Sequence, residues 1–335
     1  MDTSWIKARF AAARSIAPGL TMAALIAMAA QFLSDHYGAP VMLMAILLGI
    51  PFHFMTEDPR MADGITFAAR WLLRFGVALL GLRVSVGMVQ AVGWEFLAFL
   101  VLAVAITIIL SIATANLFGR ERLFGFLTGG AVAICGASAA MAISSILPKR
   151  PESERDLVFT VISVTLLSTV AMILYPILAS ALGLSGHETG LFLGATIHDV
   201  AQVVGAGFSV SEETGELATL VKLLRVTLLA PVVLIGSLLL RGNVPAGAKR
   251  PPLLPGFVVV FLVLAALNSL QLVPDAVTAP AAKLSSAALV TAVAAVGMKT
   301  SLAQLRDVGA SSTAMIAGQT VFLAGMVLAG LWVLG

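Results

Sequence analysis

The sequence predicts an all-α polytopic membrane protein, and three observations carry the prediction. Of 335 residues, 59% are apolar and only 11% charged, where soluble domains carry about 25% charged residues. Mean hydropathy is +1.03. Apolar runs of about 18–25 residues, each long enough for roughly 30 Å of hydrocarbon, recur from Ile16 onward. The short alternating segments of an outer-membrane barrel are missing.

Residues 1–15 read as an amphipathic N-terminal segment. Lys7, Arg9 and Arg14 precede the first apolar run, which is long and lacks a convincing cleavage site, so it reads as a membrane helix rather than a signal peptide. Residues 16–335 read as a single transmembrane transporter domain. Its eleven apolar segments lie at 16–34, 39–55, 64–82, 93–117, 124–147, 157–182, 190–208, 217–240, 255–273, 281–298 and 309–334. No long linker or low-complexity tract divides them. The longest hydrophilic connections, 148–156 and 241–255, are basic and contain Pro.

Loop charges orient these segments. A cytoplasmic N-terminus puts Arg120 and Arg122, then Arg241, Lys249 and Arg250, then Lys299 and Arg306 inside, with Glu212, Glu213 and Glu216 outside, as the positive-inside rule requires. Lys149, Arg150 and Arg155 fall outside if all eleven segments span. Eleven full spans remain the first expectation, because that loop also holds Glu152, Glu154 and Asp156. In the alternative, nine segments span and the two Gly-rich ones, 124–147 and 190–208, are re-entrant. The net charge of +3 and pI near 9.3 come from these loops and helix ends, so no nucleic-acid partner is expected. A single cysteine, Cys135, excludes an intrachain disulfide.

Within the run GATIHDVAQVVGAG at 194–207, His198, Asp199 and Gln202 interrupt Gly, Ala, Val, Thr and Ile. On a continuous helix His198 and Gln202 share a face, with Asp199 about 100° away. A carboxylate at membrane depth costs roughly 2.5–3.5 kcal/mol, so it faces protein or water, and a functional site is the default reading. The run GGAVAICGASAA at 129–140 is dominated by small residues, and Gly136 beside Ser138 offers a place for a helix to unwind. Unwinding would expose the N–H groups of a second half-helix, which bind anions. In VKLLRVTLLAP at 221–231, Lys222 and Arg225 share a face three residues apart. Lys222 can snorkel, but Arg225 lies too deep and calls for Asp199 or a bound anion as partner.

An internal echo adds to this. Gly81, Arg83 and Ser85, followed by Val92 and Gly93, match Gly297, Lys299 and Ser301, followed by Val308 and Gly309, with no gap. On the topology above the copies run in opposite directions, the sign of inverted repeats around a midplane site. The plain alternative is a helix end marked twice by Gly and a cation, with gating a lesser role for Arg83 and Lys299.

The three motifs, in this order and spacing, resemble the sulfate exporter family of YeiH-type bacterial inner-membrane proteins over roughly residues 38–334. Where that family usually has Glu after the histidine, this sequence has Asp199, one methylene shorter. The resemblance implies kinship with the superfamily of bile-acid symporters and cation/proton antiporters. It further implies two discontinuous helices near the midplane and an elevator-like or rocking motion.

The expected function is secondary active transport of a small inorganic or organic anion, with export of sulfate or a related sulfur oxyanion the leading case. Lys222 and Arg225 are expected to supply positive potential. Cys135, Gly136, Ala137 and Ser138 should present N–H groups to the anion, and His198, Asp199 and Gln202 should couple transport to protons. On this reading an Arg225→Ala protein folds but carries no anion. An anion channel, or a cation/proton antiporter using Asp199, is the alternative. No enzyme activity is expected, since a lone Cys135 among small residues is a packing residue before it is a nucleophile. No metal or other cofactor is expected. The partners expected are the anion and the lipid bilayer, with self-association left open, in the bacterial inner membrane.

Overall fold

The computed structural model describes residues 4–37, 41–83, 86–148, 150–240, 256–300 and 310–334. Ser85 and Ser301 of the repeated motif lie outside the described residues, as do Lys149, Arg241, Lys249, Arg250 and Arg306. The helices are α1 (Ser4–Tyr37), α2 (Val41–Gly49), α3 (Pro59–Phe67), α4 (Leu73–Leu80), α5 (Val86–Val92), α6 (Trp94–Thr114), α7 (Arg122–Ala133) and α8 (Ala137–Ser144). They continue with α9 (Ser153–Ala181), α10 (Gly186–Thr196), α11 (Val200–Val210), α12 (Glu212–Thr227), α13 (Leu229–Leu239), α14 (Gly256–Ser269), α15 (Asp275–Lys299) and α16 (Ala310–Leu334). No strand occurs among the described residues.

Seven stretches among the described residues are long and apolar enough to cross a membrane: Ser15–Tyr37, Pro59–Arg83, Trp94–Phe118, Arg155–Ala181, Glu212–Leu239, Ala276–Lys299 and Ala310–Leu334. The apolar helices Met44–Thr56, Arg122–Ala133, Val200–Val210 and Gly256–Ser269 are shorter. The chain is therefore an all-helical, multi-pass membrane protein. Within the region expected to form one domain, two compact units are distinguished.

The first unit comprises Met1–Ser85, Phe208–Val210 and Val260–Leu302. Here α15 packs along α2 and α4, while α1 packs against α3. The α2–α15 crossing is glycine on glycine. A side chain on Gly297 would meet the Ile46 carbonyl at 2.5 Å and Gly49 Cα at 3.2 Å, so only small residues permit the approach. Ser285 Oγ donates to the Gly76 carbonyl at 2.7 Å, and Arg70 acts electrostatically on Lys299. Position 76 thus sits opposite 285 and position 70 opposite 299, which makes the helix ending at Arg83 antiparallel to the one ending at Lys299.

The second unit comprises Val86–Gly207, Ser211–Val259 and Ala303–Gly335. It contains both Gly-rich segments, and each folds back on itself. At the base of the α7–α8 pair, Arg120 pairs with Asp156, Arg150 pairs with Glu121, and a weaker Arg150–Asp156 contact spans 3.9 Å. Higher up, a side chain on Gly130 would strike Ile143 of the opposite arm. In the second segment Thr214 Oγ1 donates to the Gly186 carbonyl at 3.1 Å, and Gly207 faces Gly215, whose Cα lies 2.8 Å from where its Cβ would stand. The start of α10 therefore meets the chain just past the end of α11. A full span would separate its ends by about 30 Å. Neither segment does so, and the expectation of eleven full spans fails at 124–147 and 190–208, which are helical hairpins.

Candidate functional site

The hairpins turn where their sequences change character. In the first, Ile134 (φ −116°, ψ −81°) ends α7 and Gly136 (φ 64°, ψ −124°) opens α8, a backbone geometry open essentially only to glycine. The Gly136 N–H reaches back to the Ala131 carbonyl at 2.8 Å, which closes the turn. In the second, Ile197 is extended (φ −64°, ψ 137°) and Asp199 caps α11, its carboxylate accepting from the Ala201 N–H at 2.9 Å. The continuous helix expected over 194–207 is therefore interrupted at 197–199. His198 and Gln202 do not share a helix face, because the cap residue between them has left the helix.

The two tips meet. A Cβ on Gly136 would stand 3.5 Å from His198 Cβ. Behind them α12 presents Lys222 and Arg225, both fully buried. At 1.5 Å per residue from Glu212 these lie roughly 15 and 20 Å along the helix, near mid-membrane. Arg225 donates to the carbonyls of Val132 (2.6 Å), Ala133 (2.5 Å), Ile197 (3.2 Å) and Gly194 (3.4 Å). Lys222 donates to Ile134 (2.6 Å) and Ile197 (2.8 Å). Those oxygens are the open carbonyl ends of α7 and α10, the negative poles of two helix dipoles.

The insertion cost of about 2.5–3.5 kcal/mol per cation is thus met by hydrogen bonds from charged donors, each worth about 1.5–3 kcal/mol. The sequence reading called for Asp199 or an anion as partner; the structure supplies backbone carbonyls. Asp199 turns to its own helix and, half-buried, remains near the tip.

Around the second tip the polar groups are nearly all engaged. Ser168 Oγ accepts from the Asp199 N–H at 3.0 Å and donates to Gln202 Oε1 at 2.7 Å, while Gln202 Nε2 donates to Thr169 Oγ1 at 3.1 Å. Buried His198 holds Thr320 Oγ1 through Nε2 at 3.0 Å, and its Nδ1 has no hydrogen-bond partner. Gln319, next to Thr320, reaches the first hairpin by donating to Thr128 Oγ1 at 3.1 Å. Sequence reasoning missed Ser168, Thr169 and Thr320. A Ser-Thr pair inside the apolar run 157–182, and a Gln-Thr pair inside the run 309–334, were the available signals.

The first tip differs. Cys135 is buried, whereas Ala137 is half-buried and Ser138 exposed, and no side chain caps the start of α8. The Gly136 N–H is spent on the Ala131 carbonyl, so the leading amides that meet no side-chain cap are those of Ala137 and Ser138. Arg83 and Lys299 belong to the first unit and stand at helix ends.

The family described as "Conserved hypothetical protein 698" matches residues 18–316. The chain is similar to the UPF0324 membrane protein TauZ of Paracoccus denitrificans, at 59% identity over 322 residues covering 95% of each chain. It is likewise similar to a UPF0324 membrane protein of Rhizobium meliloti (56%; 95% of this chain, 93% of that one) and to one of Chlorobaculum tepidum (50%; 93% and 88%).

Proposed function

Given that the chain belongs to the UPF0324 family of bacterial membrane proteins, we propose that it is a secondary active transporter of a small anion, exporting sulfate or a related sulfur oxyanion across the inner membrane by coupling to a proton gradient. The supporting observation is the asymmetry of charge at the tip contact. Both carbonyl ends are neutralised by Lys222 and Arg225, and one amide end is capped by Asp199. The other amide end has no side-chain cap, and with the Gly136 N–H given to the Ala131 carbonyl its leading amides are those of Ala137 and Ser138. An oxyanion is the ligand that such an end suits. On this reading the N–H groups of Ala137 and Ser138 hold its oxygens, with Gly136 making the turn that presents them and Cys135 lining it. Lys222 and Arg225 raise the local potential from behind without touching it.

The hairpins also support the re-entrant topology. With 124–147 entering and leaving on one side, Arg150 and Arg155 join Arg120 and Arg122 in the cytoplasm, and the one loop that disagreed with the positive-inside rule falls into line. Antiparallel packing of the helices that end at Arg83 and Lys299 supports inverted repeats, and with them the kinship to bile-acid symporters and cation/proton antiporters. A hydrolase would need the Cys135 thiol engaged by His198. The only hydrogen bond of the His198 ring among the described residues goes to Thr320, which supports transport over catalysis.

The test is flux in proteoliposomes with sulfate, sulfite, thiosulfate and phosphate at two pH values. Saturable anion flux driven uphill by an imposed pH gradient is expected. Ohmic current without saturation would replace the reading with a channel, and proton-for-sodium exchange without anion flux would replace it with an antiporter built on Asp199.

A further inference from the structure

The hydrogen bonds around His198 distinguish its two ring nitrogens. Nε2 lies 3.0 Å from Thr320 Oγ1, and that hydroxyl directs its single proton to the Ile316 carbonyl at 2.9 Å. An oxygen whose proton is committed elsewhere can only accept, so Nε2 carries the ring hydrogen and donates it. A neutral imidazole has one N–H. Nδ1 is therefore a bare lone pair, buried, with no protein donor in reach.

We propose that Nδ1 of His198 is the atom that takes up the coupling proton, and that Thr320 is the positioning residue that keeps this nitrogen open. The word coupling rests on the transporter reading above; the assignment of the nitrogen does not. The step is simple in its chemistry: a proton joins a lone pair, and the neutral ring becomes a cation with two N–H donors.

The surroundings make that change consequential. Lys222 and Arg225 of α12 act on the ring by their charge, Asp199 is its chain neighbour, and Gly136 approaches His198 from the other tip, next in sequence to buried Cys135. α9 contributes uncharged Ser168 and α16 contributes Thr320. Arg225 Nη2 holds the Val132 carbonyl at 2.6 Å and Lys222 holds Ile134; a further positive charge on the ring repels these two cations, so that proton arrival loosens the bonds that pin the first tip.

Nitrogen-15 NMR on the full-length chain, labelled at histidine and held in lipid nanodiscs, reads this directly. His198→Gln assigns the His198 signals among those of His36, His53 and His187. The expected result is a neutral ring with hydrogen on Nε2 only, acidification adding hydrogen at Nδ1. Thr320→Ser should keep this tautomer, and Thr320→Val should split the signal between both. In liposomes the pH optimum of proton-driven flux should move by about one unit in Thr320→Val, the size of one lost charge-assisted hydrogen bond, and return in Thr320→Ser.

Hydrogen on Nδ1 in the neutral ring, or a tautomer unmoved by Thr320→Val, overturns the assignment while leaving transport intact. The predicted tautomer together with flux that ignores His198→Gln leaves the assignment standing and overturns the coupling.

Discussion

The two hairpin tips are built alike and finished differently. Each turns on three residues, 134–136 and 197–199, and each offers its carbonyl end to the same pair of cations. At the second tip Asp199 then caps the following helix, Ser168 receives its own N–H and Gln202 is tied to α9. At the first, Gly136 has no side chain to offer and α8 begins uncapped beside exposed Ser138. One tip engages nearly all of its polar groups internally, while the other starts its second helix without a side-chain cap. The lesson is that fixed cations in a membrane helix need not be the ligand site. Here they hold the tips by the carbonyl ends of α7 and α10, and on the proposed reading the anion sits instead at the start of the next half-helix, α8.

The largest effect expected from disturbing this contrast belongs to Arg225, since it serves both tips. Arg225→Met leaves the Val132 and Ala133 carbonyls without their donor, at about 1–3 kcal/mol each. The protein should lose its monodisperse peak in detergent and its thermal transition should fall. The structure thereby revises the expectation that removing this arginine abolishes flux alone. A well-folded Arg225→Met protein would mean the pin is dispensable.

Gly136→Ala comes next. Its positive φ is strained for any side chain by about 1–3 kcal/mol, and flux should fall along with thermal stability. Asp199 then separates cap from charge. Asp199→Ala should cost about 1 kcal/mol through the lost cap, whereas Asp199→Asn keeps an acceptor and should leave the melting curve almost unchanged. Flux lost in Asp199→Asn would assign the carboxylate's charge to coupling, and flux retained would make it a cap alone.

The smallest effect lies at the hairpin base. Hydrogen bonds from Ser185 hold the Glu188 carboxyl below its ordinary value of 4.5. A group whose folded value is depressed adds stability above its unfolded value and loses it as pH falls through the folded one. Glu188→Gln should therefore flatten a slight loss of stability seen below pH 4.5, measurable as a convergence of the wild-type and variant melting curves in acid.

Much of this was legible in the sequence. Apolar periodicity gave the helices, and Gly136 marked the first break, because no other residue type makes an unwound turn so cheaply. The isolated polar triplet marked the second tip. What the pattern could not show was that His198 lies outside the helix, since a capping Asp and a helical Asp look identical in an apolar run. It could not show the hairpins either. A segment of about 20 apolar residues is long enough to cross or to return; the contacts of Arg120 with Asp156 and Arg150 with Glu121 at the first hairpin, and of Thr214 with Gly186 at the second, tell the two apart. The partners of Lys222 and Arg225 were hidden for a related reason: backbone carbonyls leave no trace in side-chain identity.

The central claim places the anion at the bare start of α8, and thiol protection tests it most directly. Ser138→Cys in a Cys135→Ala background, reconstituted in liposomes, would be labelled with a small maleimide with and without sulfate, sulfite or thiosulfate. Protection that saturates with one of these anions and is lost in Gly136→Ala is the predicted result. Labelling at an unchanged rate in every anion, while flux persists, would place the cargo elsewhere.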